Sequence, residues 1–209
     1  NWVLDADIKA FFDTVDHAWM MRFLEHRIGD RRLLRLIRKW LTAGVVENGN
    51  RTDVRVGTPQ GAVISPLLAN IYLHYVFDLW AHRWRGRHAK GDVMIVRYAD
   101  DSVLGFESKG DVDRFLEDVK VRFAQFGLTL NEDKTRVLQF GRFAAQARAK
   151  QGLAKPPTFD FLGFTHICGK SRSNGWFQLK RLTSAKQMRA RLKAIREALM
   201  RRMHEPVLV

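Results

Sequence analysis

Three aspartates could do chemistry together. Asp7 lies near the end of the apolar run WVLDADI, residues 2–8, and Asp100 and Asp101 form a short acidic turn in DVMIVRYADDSVLGFES. An Asp-Asp pair alone reads as an ordinary turn, because Asp is a common turn residue. Beside a third carboxylate the pair becomes electrostatically costly, since like charges this close shift pKa or destabilise the fold. A hard cation is the usual remedy. Oxygen ligands with open water positions suit Mg²⁺, which is normally held by one or two carboxylates plus substrate phosphates. Two such ions about 3.5–4 Å apart activate an attacking hydroxyl and stabilise a leaving phosphate oxygen.

Whether the three carboxylates meet depends on the elements that carry them. Residues 2–8 read as a buried strand. Residues 17–28 and 30–43 read as helices, with Asp16 and Asp30 as N-caps and Gly29 and Gly44 as C-terminal breakers. Asn48-Gly49 between β-branched runs signals a hairpin. A long helix is expected over 66–85, capped by Ser65 and with Pro66 at its first position. Strands at 93–98 and 102–106 flank the acidic turn. Residues 111–126 keep the 3.6 period through Val112, Phe115, Leu116, Val119, Phe123 and Phe126. A strand follows at 134–140, then a loop or loose helix over 141–157. A small hairpin is expected at 159–168 and 176–179, and a basic helix at 183–203.

The core order is strand, helix, strand, strand, helix, strand. That is the α+β, ferredoxin-like (split βαβ) plan: an antiparallel sheet with helices on one face, here followed by a C-terminal basic helix. In it the third strand returns beside the first. The end of strand one and the turn between strands two and three therefore meet at the same sheet edge, one strand spacing of about 4.8 Å apart. Asp7, Asp100 and Asp101 are expected to converge there.

Composition narrows the partner. The chain has 209 residues, 46% of them hydrophobic, with 14 Phe and 6 Trp, enough for one well-filled core. A net charge of +14 points to a polyanion, nucleic acid ahead of an anionic membrane surface. No stretch has spanning length and no signal peptide is visible, which reads as an intracellular protein, cytoplasmic in a bacterium, with no membrane partner. The lone Cys168 excludes a disulfide framework and a cysteine zinc site, and reads as a small buried residue.

DADIKAFFDTVDH, GTPQGAVISPLLANIYL, RYADD, GLTLNEDKT and FDFLGF occur in that order. In this the chain resembles a reverse transcriptase, most closely the group II intron type, from Trp2 to about Phe164 and more weakly to Met203. The resemblance implies a polymerase palm. There Asp7, Asp100 and Asp101 would be the catalytic carboxylates holding two Mg²⁺ ions, with the backbone carbonyl of Ile8 as a further ligand. Phe12 matches the bulky residue that stacks under the deoxyribose and excludes a 2′-hydroxyl; without the family, an aromatic in FF reads as core. Gln60 would present its amide to the nucleotide on a turn stiffened by Pro59 and given close backbone approach by Gly57 and Gly61; otherwise it is an exposed loop amide. Ala99 should face the primer end. Lys134 matches a lysine that protonates leaving pyrophosphate, although alone it reads as a solvated charge. Phe161, Leu162, Gly163 and Phe164 match the primer grip. Asp13, Asp16 and His17 are read as supporting or capping residues.

Arg181, Lys186, Arg189 and Lys193, with Arg191 and Arg196, would begin a thumb that grips the template–primer duplex through phosphates. Arg27, Arg31, Arg32, Arg35, Arg38 and Lys39 form a second basic cluster that is either functional or a solvated face. The expected division is 1–158 palm, 159–180 primer-grip hairpin and 181–209 start of the thumb. The expected activity is RNA-directed DNA polymerization, with dNTPs, an RNA template and a DNA primer as partners, and group II intron RNA as a further one. A maturase-type RNA-binding module and, more weakly, a nucleotidyl cyclase are the alternatives. Intact Asp7, Asp100 and Asp101 favour the enzyme, because a pure phosphate binder has no use for clustered acids. Retron, CRISPR-associated and diversity-generating types stay open. The chain begins at Asn1, close before Asp7, and reads as a piece of a longer enzyme whose fingers lie elsewhere, so that activity of the isolated piece is in doubt.

Overall fold

Strand, turn and helix propensities place most elements where the sequence suggests. The computed structural model of the chain describes residues 1–42, 45–47, 50–52, 57 and 63–203. The Asn48-Gly49 turn and Pro59, Gln60 and Gly61 lie outside the described residues. In chain order the elements are β1 (Trp2–Ala6), α1 (Phe11–Thr14), α2 (His17–Glu25), α3 (Arg31–Thr42), β2 (Val45–Glu47), β3 (Asn50–Thr52) and α4 (Ser65–Leu73). A π-helical turn, His74–Asp78, joins α4 to α5 (Leu79–His88); then come β4 (Val93–Tyr98), β5 (Asp101–Phe106), α6 (Lys109–Ala124) and β6 (Arg136–Gln139). Contacts divide the chain into two units, 1–138 and 139–209.

The first unit is built on a four-stranded sheet of order β4-β5-β1-β6. Leu4 pairs with Leu104 and Ala6 with Ser102, while Tyr98 pairs with Asp101 across the acidic turn, all antiparallel. This is the split βαβ order expected. One sheet face carries Leu4, Leu104 and Phe106, fully buried under the helices. Phe115 of α6 lies 5.4 Å from Phe106 and 4.9 Å from Trp84 of α5, ring centre to ring centre. The other face of β4 leaves Met94, Val96 and Tyr98 exposed, as the period of two requires.

Asp16 caps α2, its carboxylate accepting from Trp19 N at 2.8 Å. Asp30 does the same for Arg32 N at 2.7 Å. Ser65 is not the cap of the long helix: Ile64 holds that position and Ser65 is already helical and buried, with Pro66 in the first turn. The helix also runs beyond 85, to His88, and carries the unexpected π turn. Such a turn shifts the backbone carbonyls out of register. Arg122 answers that shift, donating Nε to Val76 O at 3.0 Å and Nη2 to Tyr75 O at 3.2 Å. Nearby, the buried Tyr72 hydroxyl donates to Phe126 O at 2.7 Å. Among the described residues, no helix is long and apolar enough to cross a membrane.

The second unit holds α7 (Ala144–Lys150), β7 (Phe159–Phe161), β8 (Phe164–Lys170), β9 (Phe177–Thr183) and α8 (Ala185–Arg202). The loose stretch 141–157 thus contains a short helix, and the expected small hairpin is a three-stranded meander, β7-β8-β9. Its longer pairing, Phe164 opposite Thr183 to Lys170 opposite Phe177, uses polar positions that carry little apolar signal. Cys168 is half-buried rather than buried, because every position of β8 between its ends keeps part of its surface. Its thiol accepts from Gly141 N at 3.2 Å, and burial pushes its pKa up.

Candidate active site

β1 delivers Asp7 one residue past Ala6, and β5 opens with Asp101 one residue before Ser102, Ala6's partner. The two aspartates therefore end adjacent strands at the same edge. Beyond Asp7 the chain is held open rather than continued as sheet. Asn131 N donates to Asp7 O at 2.8 Å, and Ile8 makes a single bridge to Leu130. Lys134 reaches back so that its Nζ lies 3.2 Å from Asp7 Oδ2. Two residues earlier in β1, Asp5 pairs with Arg136 at 2.8 Å.

Burial, followed by the carboxylates of Asp100, Asp7 and Asp5, holds the Asp101 carboxyl above the usual range, with Lys134 opposing them. Among the described residues, no three His, Cys, Asp or Glu side chains are arranged to hold a metal ion by themselves. The donor set suits an ion whose coordination is completed by phosphate oxygens, which one or two carboxylates suffice to hold. Burial raises the Asp101 carboxyl most, and the neighbouring carboxylates add to it.

The acidic turn is itself clamped. Ala99 adopts a left-handed φ of 54°, which a residue with a Cβ rarely takes. Arg97 Nη1 donates to Ala99 O at 2.7 Å and to Asn70 Oδ1 at 2.9 Å. The rest of the same guanidinium forks onto Asp78, with Nε donating to Oδ1 at 2.7 Å and Nη2 to Oδ2. Asp78 closes the π turn, so the long helix, the π turn and the acidic turn are tied through one side chain. Sequence reasoning passed over Arg97, Asp78 and Asn70. The signal was there: Arg97 follows Val93 and Ile95 on the inward face of β4, and an inward Arg needs an acid.

Phe12 lies in α1, which follows Ala10 at φ 46°, and it is half-buried against the core with its ring 5.5 Å from that of Phe11. Gly57, the start of GTPQG, seats on this segment. A Cβ at Gly57 would come within 2.7 Å of Phe12 O, and its φ of 91° also requires glycine. Gly57 N donates to Val15 O at 2.8 Å, and His17 Nε2 bonds Gly57 O. The structure thus brings Phe12 and the beginning of GTPQG together, and Asp7, Asp100, Asp101, Ala99 and Lys134 together. Gln60 lies outside the described residues.

In the second unit, Leu162 (φ 50°) and Gly163 (φ 81°) make the two-residue turn between β7 and β8, with Phe161 opposite Phe164. Two successive positive φ values match the twist of a tight hairpin. Gly163 O accepts from Ser184 N at 2.9 Å, fastening the turn to the start of α8. Leu162 and Phe164 remain exposed. Arg181 is exposed on β9, and Lys186, Arg189 and Lys193 are exposed on α8, where Lys193 meets Glu197 at 3.8 Å.

The sequence pattern of the reverse transcriptase (RNA-dependent DNA polymerase) family matches residues 1–166. Protein YkfC of Escherichia coli is 35% identical over 165 residues, covering 66% of this chain and 43% of YkfC. The group II intron-encoded protein LtrA of Lactococcus lactis is 45% identical over 74 residues, covering 35% of this chain and 12% of LtrA. The chain thus spans less than half the length of these relatives. Among solved structures, telomerase from Candida albicans, in complex with a fragment of telomeric RNA, matches at a TM-score of 0.59 and 17% identity, over 93% of this chain and 34% of that one. At that identity the likeness is one of fold.

Proposed function

Because this chain belongs to the reverse transcriptase (RNA-dependent DNA polymerase) family, we propose that it forms the palm and the start of the thumb of an RNA-directed DNA polymerase of the group II intron type. The observation that carries this reading is Asp101 at the end of β5 with the charges of Asp100, Asp7 and Asp5 around it. Asp7 and Asp101, with Asp100 and the Ile8 carbonyl, offer the oxygen ligands for two Mg²⁺ ions. Magnesium bound there supplies Lewis acidity toward the primer hydroxyl and charge neutralisation on the triphosphate. The primer 3′-hydroxyl gives its proton to solvent water, its oxygen bonds to the α-phosphorus of a dNTP, and the bond to pyrophosphate breaks. Lys134 Nζ, held beside Asp7 at 3.2 Å, donates a proton to the leaving pyrophosphate. Ala99 leaves room for the primer end, Phe12 underlies the sugar, and Gln60 contacts the nucleotide.

Residues 1–158 are read as palm, 159–180 as primer grip and 181–209 as start of the thumb. Leu162 and Phe164 on their tight turn suit contact with a primer backbone, and Arg181, Lys186, Arg189 and Lys193 suit phosphates. The 45% identity to a group II intron-encoded protein supports that lineage and an intron RNA as partner.

The direct test is extension of a DNA primer on an RNA template by the full-length protein with dNTPs and Mg²⁺. A ladder of template-directed products is expected, and its absence under any divalent ion sinks the proposal. A finer test concerns Arg97, which positions the acidic turn without touching substrate. Arg97→Lys keeps the charge but cannot fork onto Asp78 while reaching Ala99 O. It should lower kcat roughly 10²-fold, the scale of a misplacement of about 1 Å, with KM for dNTP nearly unchanged. Wild-type kcat in this variant would show that the clamp does not set the turn.

A further inference from the structure

The helix layer carries a second cationic feature, built from α2, the π turn, α5 and α6 and sharing no residue with the acidic site. An open cleft of about 620 Å³ is lined by Arg22, Arg27, Arg83 and Arg122, with His26 at its rim. Between the arginines stand Phe23, Tyr75 and Trp80. The Phe23 and Tyr75 rings stack at 4.8 Å and 9°. Trp80 and Arg122 also line an adjoining depression of about 330 Å³, where Asp118 joins them, so the groove continues along α5 and turns less basic there.

Among the described residues, no acid lines the larger cleft. Every acid on the four surrounding elements is engaged elsewhere. Glu25 of α2 meets Arg38 at 3.7 Å, and Asp78 of the π turn holds Arg97. α5 has no acid. On α6, Asp111 accepts from the backbone N–H groups of Lys90 and Gly91, and Asp113 pairs with Lys109. Glu117 pairs with Lys120, and Asp118 accepts from Trp84 Nε1 at 2.7 Å. Burial, and after it the neighbouring Arg83, pulls Arg122's pKa down.

We infer that this cleft binds single-stranded RNA, taking an unpaired base against the Tyr75 and Trp80 rings and its flanking phosphates on the arginines. The volume lies in the range of about 300–1,000 Å³ that holds a group of base size. Arginines alone would serve any polyanion; arginines interleaved with aromatic faces match a chain that alternates phosphate and planar base. A duplex hides its bases and would leave the rings unused. The cleft's lining contains none of Asp7, Asp100, Asp101 and Lys134, so RNA bound there does not depend on catalysis.

The test uses the full chain and a short oligouridine strand carrying thiouridine as photocrosslinker. Crosslinks are expected on Tyr75 or Trp80. Arg27 and Arg83 are exposed, so Arg27→Glu with Arg83→Glu should keep the fold while abolishing these crosslinks. The salt slope of log K should fall by about 1.4, two phosphate contacts at roughly 0.7 each for a single strand. Should the double reversal lower the melting temperature, Arg27→Gln with Arg83→Gln gives the same direction of change without new charge. Reversing Arg191 and Arg196 on α8 should leave the helix-layer crosslinks in place. Crosslinks confined to other elements, or an unchanged slope in the Arg27 and Arg83 variants, overturn the inference. So does polyglutamate displacing the RNA from this cleft at equal charge concentration, which would mark it as a seat for an acidic protein.

Discussion

Asp100→Asn in the full-length protein will lower primer extension roughly 10³–10⁵-fold, the range that one charge-stabilising group supplies in phosphoryl transfer, while binding of a template–primer duplex survives. Asp101→Asn should do the same to activity and something different to stability. The Asp101 carboxyl is held above the ordinary carboxylate range by burial and then by its acidic neighbours. The folded state therefore binds that proton more tightly than the unfolded one. Its contribution to stability is most favourable below the unfolded pKa and declines as pH rises through the folded pKa. An amide removes that decline. In metal-free buffer at neutral pH, Asp101→Asn should melt no lower than wild type although its extension is lost. Near-normal extension by Asp100→Asn with Mg²⁺ would end the two-metal proposal. A marked fall in the melting temperature of Asp101→Asn would mean that this carboxylate is a structural partner instead.

Phe12→Ala should relax sugar choice. The ratio of kcat/KM for dNTP over rNTP is expected to fall by about 10²-fold, the scale on which a pocket rejects an added hydroxyl, with dNTP use partly retained. A ring under the sugar rejects a 2′-hydroxyl by clash and needs no hydrogen-bond partner. The competing role is packing, since Phe12 is half-buried against the core. A fully packed Phe truncated to Ala loses about 3–5 kcal/mol, and a half-buried one less. The backbone of Phe12 and Asp13 also seats Gly57, an arrangement that side-chain truncation leaves in place. Dual measurement separates the roles. A changed ratio with a small melting loss supports the gate, and a large melting loss with an unchanged ratio makes Phe12 a packing residue.

Elements whose signal is local and periodic were legible in the sequence. The apolar face of α6 and the caps Asp16 and Asp30 follow from spacing, and the order of the sheet strands from matching the element order to the split βαβ plan; with that order comes the meeting of Asp7 with Asp101. What escaped was interaction between distant polar groups. The Arg97 clamp joins residues of three elements; the period of two puts Arg97 on the inward face of β4, but neither period names the distant partners that its guanidinium reaches. The π turn escaped because it inserts no breaker; its stray carbonyls are taken up by Arg122, 44 residues beyond Asp78 in the chain. The meander of the second unit was underestimated because β9 alternates without an apolar face. The site residues that match motifs were found by resemblance, since Phe12 and Lys134 carry no distinctive signal of their own.

The position of β1 in the sheet has a consequence for synthesis. Of the four strands of this sheet it comes first along the chain, yet it lies inside the sheet, between β5 and β6. Leu4 pairs with Leu104, a separation of 104 − 4 = 100 residues. At roughly 5–20 residues per second of translation, β1 is made about 5–20 s before β5. For that interval both of its hydrogen-bonding edges are open and WVLDA is a template for any passing strand. The acidic centre that the strand carries therefore cannot assemble early on the ribosome, and production of the folded palm should be sensitive to chaperone supply and to the pace of translation across residues 7–106.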